Sequence, residues 1–303
     1  MAEATKQLGQ NGLNGANVKS KKKRNGTGSQ VIRRLSKNRL AMFGLIVLAI
    51  IVLICVFAPI TAPYGPNDYD LQMIYATPCL KHPFGTDALG RDILSRLIYG
   101  GRYSLALGLC GAGFGMIAGC VLGCMAGYFG GICDNLIMRA CDVLSAIPGQ
   151  LLSIVISCVL GGGFFNTVLA LCIGGIPGKV RLLRAQILSV RNVEYIEAAQ
   201  SYNCSSAKTM FQHILPNTYA PLLVNLTMEI GGTIMAAAGL SFIGLGVQPP
   251  TPEWGAMLSA GRDYIRQYPH LIVFPGLVIM VTVYAINLFG DGLRDALDPK
   301  MKH

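Results

Sequence analysis

Residues 40–60 read LAMFGLIVLAIIVLICVFAPI and contain no charged side chain. A helix that crosses the hydrocarbon core of a bilayer needs roughly 20 consecutive apolar residues. The stretch has that length and therefore predicts a membrane-spanning helix. A long and mostly polar region precedes it, which is not typical of a cleaved signal peptide.

The rest of the chain repeats this pattern. The sequence is 52% hydrophobic and 13% charged, whereas soluble domains carry about 25% charged residues. This deficit excludes a soluble enzyme with a water-facing surface. We therefore predict an all-α, polytopic membrane protein with six transmembrane helices, over residues 40–60, 103–128, 135–160, 164–183, 219–247 and 271–289.

The Lys and Arg residues divide unequally between the two sides that six spans create. Most of the 25 lie in the N-terminal tail, in the segment after the fourth span and at the C-terminal end. Cytoplasmic loops are enriched in Lys and Arg, so both termini are predicted to be cytoplasmic. An even number of spans agrees with this orientation.

The N-terminal region divides from the rest at about residue 39. Residues 1–38 are basic and rich in Asn, Gly and Ser, which predicts a disordered cytoplasmic tail before a transmembrane domain over residues 39–303. The cluster Lys21–Arg24 resembles a nucleic-acid patch in composition. Beside a membrane span it favours a topology signal and a contact with anionic lipid, and we expect no nucleic-acid partner.

The cytoplasmic segment 189–217 is too polar for the membrane and too regular for a linker. Residues 193–201 predict a helix with Glu197, Ala198 and Ala199 at its centre, and Asn203 begins a turn. Residues 207–215 predict a second helix that ends at Pro216, with an apolar face made by Met210, Phe211, Ile214 and Leu215. Such a pair forms a rigid element that transmits force from a soluble partner. An ordinary amphipathic surface helix is the alternative.

Two external segments carry further patterns. Residues 82–87 read HPFGTD, and residues 91–97 predict a short amphipathic helix at the membrane surface before the second span. Residues 249–255 read PPTPEWG, which predicts either a stiff lid or an interfacial anchor that uses the single tryptophan, Trp254.

Ionisable residues inside spans are functional candidates because they are costly to bury. Glu229 lies deep in the fifth span and either faces a transport pathway or pairs with a neighbouring helix. Arg139 and Asp142 are spaced i, i+3 and are predicted to form a structural pair.

Catalytic and metal-binding patterns are absent from the sequence. It contains no GxxxxGK[ST] loop, its four histidines are scattered, and its ten cysteines include no CxxC pair. We therefore expect no catalytic residue, no metal site and no cofactor bound by this chain.

Several of these motifs together resemble one family. Residues 197–199 with 214–217, residues 82–87 with 90–96, residues 239–246 and residues 254–257 are similar to those of dipeptide, oligopeptide and nickel ABC importer permeases. The ending at residues 290–299 resembles that of the C-type subunit, and the likeness covers about residues 30–303. Asn203 replaces the usual Gly after the EAA motif, and Asn tolerates positive φ best among the other residues.

The resemblance implies a permease of a prokaryotic cell membrane that forms half of a translocation pathway. It implies a heterodimer with a second homologous permease, two cytoplasmic ATPases that use ATP and Mg²⁺, and an external substrate-binding protein. It also implies that segment 189–217 docks on an ATPase, with Glu197, Ala198, Ala199, Asn203, Met210, Phe211, Ile214, Leu215 and Pro216 as the coupling residues. Peptide is the expected substrate. Nickel and, less favoured, a secondary transporter are the alternatives.

Overall fold

The computed structural model describes residues 27–191, 193 and 208–297. These residues form helices, and an isolated bridge between Thr86 and Asp92 is the one β-type pairing within them. In chain order the helices are α1 Thr27–Leu35, α2 Arg39–Val56, α3 Ala58–Thr61, α4 Ile93–Phe129, α5 Gly131–Ser145, α6 Gly149–Leu160, α7 Phe164–Val190, a π-helical turn Thr209–Ile214, α8 Leu215–Phe242, α9 Trp254–Gly261, a 3₁₀ turn Arg262–Tyr264 and α10 His270–Leu297. The all-α prediction is confirmed.

Long apolar helices account for four of the predicted spans. Within the described part of the chain, four helices are long and apolar enough to cross a membrane: α2, α4, α8 and α10. The bent pair α5 and α6 would be a fifth. Helix α7, expected as the fourth span, carries Lys179, Arg181 and Arg184 in its second half and is not among them. The count of six spans therefore stays a prediction.

The third predicted span is not one straight helix. Helices α5 and α6 meet at an angle of 83° across residues 146–148. Pro148 precedes α6 with extended backbone (φ −52°, ψ 133°), and proline also disfavours helical backbone at the residue before it. The span predicted over residues 135–160 is therefore bent at residues 146–148, where a proline interrupts the helix, and its crossing of the membrane stays a prediction.

Helix α4 begins ten residues before its predicted start. Asp92 caps its first turn and accepts a hydrogen bond from the backbone N–H of Ser95 at 2.7 Å. Ile93 and Leu97 are buried in the core rather than lying on a membrane surface. The separate surface helix expected at residues 91–97 is therefore wrong, because Asp92 starts one continuous helix.

Three other boundaries differ from the predictions. Helix α1 places residues 27–35, assigned to a disordered tail, in helical structure packed against α10, and residues 1–26 lie outside the described part. Helix α8 ends at Phe242 instead of at residue 247, and Gly244 follows with φ +83°. Residue 297 ends α10, beyond the predicted end of the last span at 289.

Glycines let α4 and α7 pack closely. Gly111, Gly115, Gly119, Gly123 and Gly127 recur every fourth residue of α4. The last four lie closest to residues of α7, whereas Gly111 lies closest to Thr233 of α8. A Cβ on Gly119 would lie 2.4 Å from the Cβ of Lys179, and one on Gly127 would lie 2.9 Å from the Cβ of Ile187. Small residues at this spacing bring helix backbones together in membranes, where apolar burial does not drive association.

The single tryptophan lies in the core. Trp254 is 1% exposed, and its Nε1 donates a hydrogen bond to the carbonyl of Leu97 at 2.9 Å. Glu253 is equally buried and caps α9 by accepting from the backbone N–H groups of Gly255 and Ala256. Its Oε1 also accepts from the hydroxyl of Ser104 on α4 at 3.0 Å. The predicted interfacial anchor is therefore wrong, because Trp254 is buried and PPTPEWG leads into a helix that is fastened to α4. The stiff lid stays a prediction.

Candidate functional site

A cavity of about 380 Å³ lies where α6, α7 and α8 approach one another. Glycine backbone forms much of its wall, and Glu229 carries the ionisable side chain that lines it. Its lining residues are Gly149, Gln150, Ser153, Ile154, Leu171, Gly174, Gly175, Glu229, Gly232, Thr233, Met235, Ala236, Gly239, Leu240 and Ile243. The volume falls within the range of about 300–1,000 Å³ that is usual for small-molecule sites.

An ion pair with one buried partner adjoins this cavity. The ammonium of Lys179 on α7 lies 2.8 Å from Oε1 of Glu229 on α8. The lysine side chain is 4% exposed, whereas that of Glu229 is 35% exposed. Lys179 is the buried partner, so removing Glu229 would leave its ammonium buried without a compensating charge. The lysine therefore depends on the carboxylate.

Three glycines make the space for Lys179. A Cβ on Gly119 would collide with the stem of this lysine, and one on Gly115 would lie 3.2 Å from its Nζ. A Cβ on Gly175 would lie 2.5 Å from the same Nζ and 3.4 Å from Oε1 of Glu229. The helices are thus shaped to hold an extended lysine whose ammonium reaches the cavity wall.

Glu229 combines the two alternatives that its sequence position left open. It pairs with a neighbouring helix through Lys179, and it also lines the cavity. The predicted site residues did not include Lys179, although it lies within the predicted fourth span, 164–183. A lysine flanked by apolar and glycine residues was the available signal.

The pair expected between Arg139 and Asp142 is wrong. Asp142 bonds to Arg181 at 3.0 Å, and Asp134 accepts two hydrogen bonds from Arg184, at 2.5 and 2.6 Å. Both arginines lie on α7 and both aspartates on α5, so these pairs join two helices.

The predicted coupling residues divide into three groups. Glu197, Ala198, Ala199 and Asn203 lie outside the described residues, as do the side chains of Phe211 and Pro216. Met210 and Ile214 are 9% and 0% exposed and pack with Met116, Leu183, Ile187 and Leu222. Leu215 is partly buried against the same cluster.

This packing corrects two expectations. The side chains of Met210 and Ile214 face α4 and α7, so in this conformation they are covered by their own chain and do not form a free docking surface. The helix also does not end at Pro216, because the π-helical turn leads directly into α8. Pro216 lies in the first turn of α8, directly after the π-helical turn.

The motifs HPFGTD (residues 82–87) and GRD (residues 90–92) form a structural network. His82 is buried and its Nδ1 lies 2.9 Å from Asp92, the residue that caps α4. Phe84 stacks on Phe274 of α10 with ring centroids 4.1 Å apart. On the exposed side, a hydrogen bond from Lys81 lowers the pKa of Asp70. These contacts join the loop before α4 to α10 and position no reacting groups.

The chemistry available at the cavity is electrostatic. No group of three or more potential metal ligands occurs in residues 27–191, 193 and 208–297. A partly exposed carboxylate beside glycine backbone can attract a cationic group, and Ser153 and Thr233 already donate to the backbone carbonyls of Ala170 and Glu229. The arrangement is suited to recognition of a cationic group.

Comparisons with known proteins agree with this reading. Residues 119–303 match the family model described as binding-protein-dependent transport system inner membrane component. Residues 27–78 match the N-terminal TM domain of oligopeptide transport permease C.

Relatives match over almost the whole chain. The chain is 44% identical over 272 residues to the di/tripeptide transport system permease protein DppC of Pseudomonas aeruginosa, covering 88% of this chain and 90% of that protein. It is 46% identical over 271 residues to the glutathione transport system permease protein GsiD of Escherichia coli, covering 89% of each. A dipeptide transport system permease protein DppC of Alkalihalophilus pseudofirmus is 42% identical over 273 residues, covering 90% of each.

A solved structure shares the fold. An inward-facing form of the MetNI methionine ABC transporter aligns with a TM-score of 0.54 at 19% identity, over 68% of this chain and 98% of that chain. With the family models and the relatives, the helical membrane fold and its cavity lead to one conclusion: the chain belongs to the family of binding-protein-dependent transport system inner membrane components.

Proposed function

We propose that this chain is the C-type permease subunit of an ATP-binding-cassette importer and forms half of a translocation pathway for short peptides. The observation that carries the proposal is identity of 42–46% to permeases named for dipeptide, di/tripeptide or glutathione transport, along about nine-tenths of both chains. These names favour peptide over nickel as cargo. Family membership also argues against a secondary transporter.

The other subunits follow from the same proposal. A second, homologous permease completes the pathway, with the cavity between α6, α7 and α8 on this chain's side of it. Two cytoplasmic ATPases supply the energy, because the sequence contains no GxxxxGK[ST] loop. An external binding protein delivers the peptide.

Segment 189–217 serves in this proposal as the coupling loop. Glu197, Ala198, Ala199, Asn203, Phe211 and Pro216 belong to the part that meets the ATPase. Met210, Ile214 and Leu215 act differently, since their burial against α4 and α7 anchors the segment to the membrane domain. Movement of the ATPases is thereby passed to α7 and α8, the helices that carry Lys179 and Glu229.

An uptake assay tests the cargo. Cells lacking this chain are given labelled dipeptides, longer peptides and nickel, each in separate cultures, and are complemented with the wild-type gene as the control. We expect loss of peptide uptake with nickel uptake unchanged, and recovery on complementation. Loss of nickel uptake alone would contradict the peptide assignment and leave the importer assignment in place.

A further inference from the structure

We propose that Glu229 receives the terminal ammonium group of a peptide in the cavity, with Lys179 holding the carboxylate in place. This inference rests on the proposed function and assigns a substrate-recognising residue within that pathway. It makes the permease itself selective for one end of its cargo.

The two partners of the ion pair differ in exposure, and this difference determines which charge a ligand in the cavity meets. Lys179 is 4% exposed and Glu229 is 35% exposed, although their charged atoms lie 2.8 Å apart. The ammonium is covered by α4 and α7, and the carboxylate reaches the cavity surface. A ligand in the cavity therefore meets the negative partner, which favours a cationic group.

The carboxylate has capacity for a second partner. Lys179 is its one side-chain partner among the described residues, through Oε1. A carboxylate has two oxygens and about four acceptor sites, so Oε2 can accept from an ammonium while the internal pair stays intact. The lysine orients the carboxylate without filling the cavity, because its stem occupies the space left by Gly115 and Gly119.

The remaining lining fits a peptide better than a metal ion. Gln150 lines the cavity, is exposed and makes no hydrogen bond in the described structure, so its amide is available to a peptide bond. A divalent metal needs several ligands, and the described residues contain no group of three His, Cys, Asp or Glu that could supply them. The cavity of about 380 Å³ suits a molecule of small-peptide size.

Binding to the complex without its binding protein isolates the contribution of the permease. The complex of this chain, its partner permease and the ATPases is placed in lipid nanodiscs. Saturation-transfer NMR then compares alanyl-alanine with N-acetyl-alanyl-alanine, which lacks the ammonium. We expect binding of the first peptide, and at least about tenfold weaker binding of the second, since a hydrogen bond between charged groups is lost.

A double variant separates recognition from structure. Glu229→Gln alone leaves Lys179 buried and unpaired, so it is expected to destabilise the chain. Lys179→Met with Glu229→Gln removes both charges at nearly constant size. The matched control is Arg181→Met with Asp142→Asn, which neutralises another pair involving α7 away from the cavity.

The outcomes are distinct. Under the proposal the Lys179/Glu229 double variant assembles, binds both peptides equally and weakly, and loses at least about tenfold in peptide uptake, whereas the control double variant keeps discrimination and uptake. Normal uptake or retained discrimination in the Lys179/Glu229 variant would reduce the pair to a structural element.

Failure of wild type to bind alanyl-alanine, equal binding of the two peptides, or displacement by Ni²⁺ alone would also overturn the inference. If the wild-type complex imports no peptide with its binding protein present, the proposed function itself fails.

Discussion

Lys179 and Gly119 illustrate how this protein places a charge inside an apolar helix bundle. The lysine stem lies where a side chain at position 119 would otherwise be, and its ammonium is paired with Glu229. A buried ammonium without such a partner would be costly. Position 119 therefore requires glycine because Lys179 lies against the helix there. Position 229 requires a carboxylate because it neutralises the buried ammonium of Lys179.

Enlarging position 119 should destabilise the protein. In Gly119→Ala the new Cβ would lie 2.4 Å from the Cβ of Lys179 and 3.4 Å from its Cα, so α4 and α7 must separate. Overpacking of this kind typically costs about 1–3 kcal/mol. The thermal unfolding temperature of the detergent-solubilised complex, followed by fluorescence-detected size exclusion, should fall.

Gly113 on the same helix provides the control for this prediction. No atom lies within 4 Å of a Cβ built there, so Gly113→Ala should be neutral or slightly stabilising, because alanine favours a helix by up to about 1 kcal/mol. Equal losses of stability in the two variants would contradict the close packing of α4 on α7.

At the scale of elements, the turn before α8 determines how the cytoplasmic segment is joined to the membrane domain. Thr209–Ile214 is π-helical, with one more residue in its hydrogen-bonded ring than an α-helix. This extra residue sets the rotation at which Met210 and Ile214 meet α4 and α7. Such turns are frequent at functional sites.

Deleting Gln212 should uncouple ATP hydrolysis from transport. This exposed residue lies within the π-helical turn, and its removal should restore α-helical spacing. The preceding segment would then rotate by about 100° relative to α8, since an α-helix has 3.6 residues per turn. Reconstituted complexes should retain basal ATPase activity while peptide uptake per ATP hydrolysed falls severalfold.

The length-preserving substitution Gln212→Ala is the matched control. It keeps the turn and removes only an exposed amide, so both activities should stay near wild type. Normal uptake in the deletion variant would show that the rotation of this turn does not determine coupling.

At the scale of the whole molecule, the segment between α3 and α4 and the segment around α9 cap the same end of the helices. His82 and Asp92 secure the first segment to the start of α4, and Glu253 secures the second to Ser104. Phe84 joins the cap to α10 through Phe274. This end should face away from the cytoplasm if both termini are inside.

Thiol labelling tests that orientation. Cys79 is exposed in the cap, whereas Cys55 and Cys172 are buried in the helix bundle. A variant that retains Cys79 alone should react with a membrane-impermeant maleimide added to intact spheroplasts. A variant with no cysteine is the background control, and labelling that appears only after permeabilisation would reverse the predicted topology.

Local patterns accounted for part of this architecture. The existence of long apolar helices, and the positions of α2, α8 and α10 to within several residues, follow from hydrophobic length and the absence of charge in 40–60, 219–247 and 271–289. The boundaries that were wrong depend on features that hydrophobic length does not report. Pro148 bends α5 against α6, and Asp92 starts α4 early.

The candidate site was predicted only in part. Glu229 stood out because a carboxylate in an apolar span is costly, which is a property of the local sequence. Its partner Lys179 lies 50 residues earlier in the chain, and nothing in the spacing connects the two. The sequence also does not predict that Asp134 pairs with Arg184, because Arg139 lies much nearer to Asp134 along the chain.

The amino-acid sequence by itself determined that this is a helical membrane protein of the ABC importer permease type, because apolar length and ordered motifs are local properties of the chain. Only the tertiary structure decided which charges meet, that Trp254 is buried, and that Met210 and Ile214 face inward. These outcomes depend on how helices distant in sequence approach one another. The glycines of α4 permit that close approach, because a side chain at these positions would collide with residues of the neighbouring helices. Those neighbours are known only once the helices are placed in space.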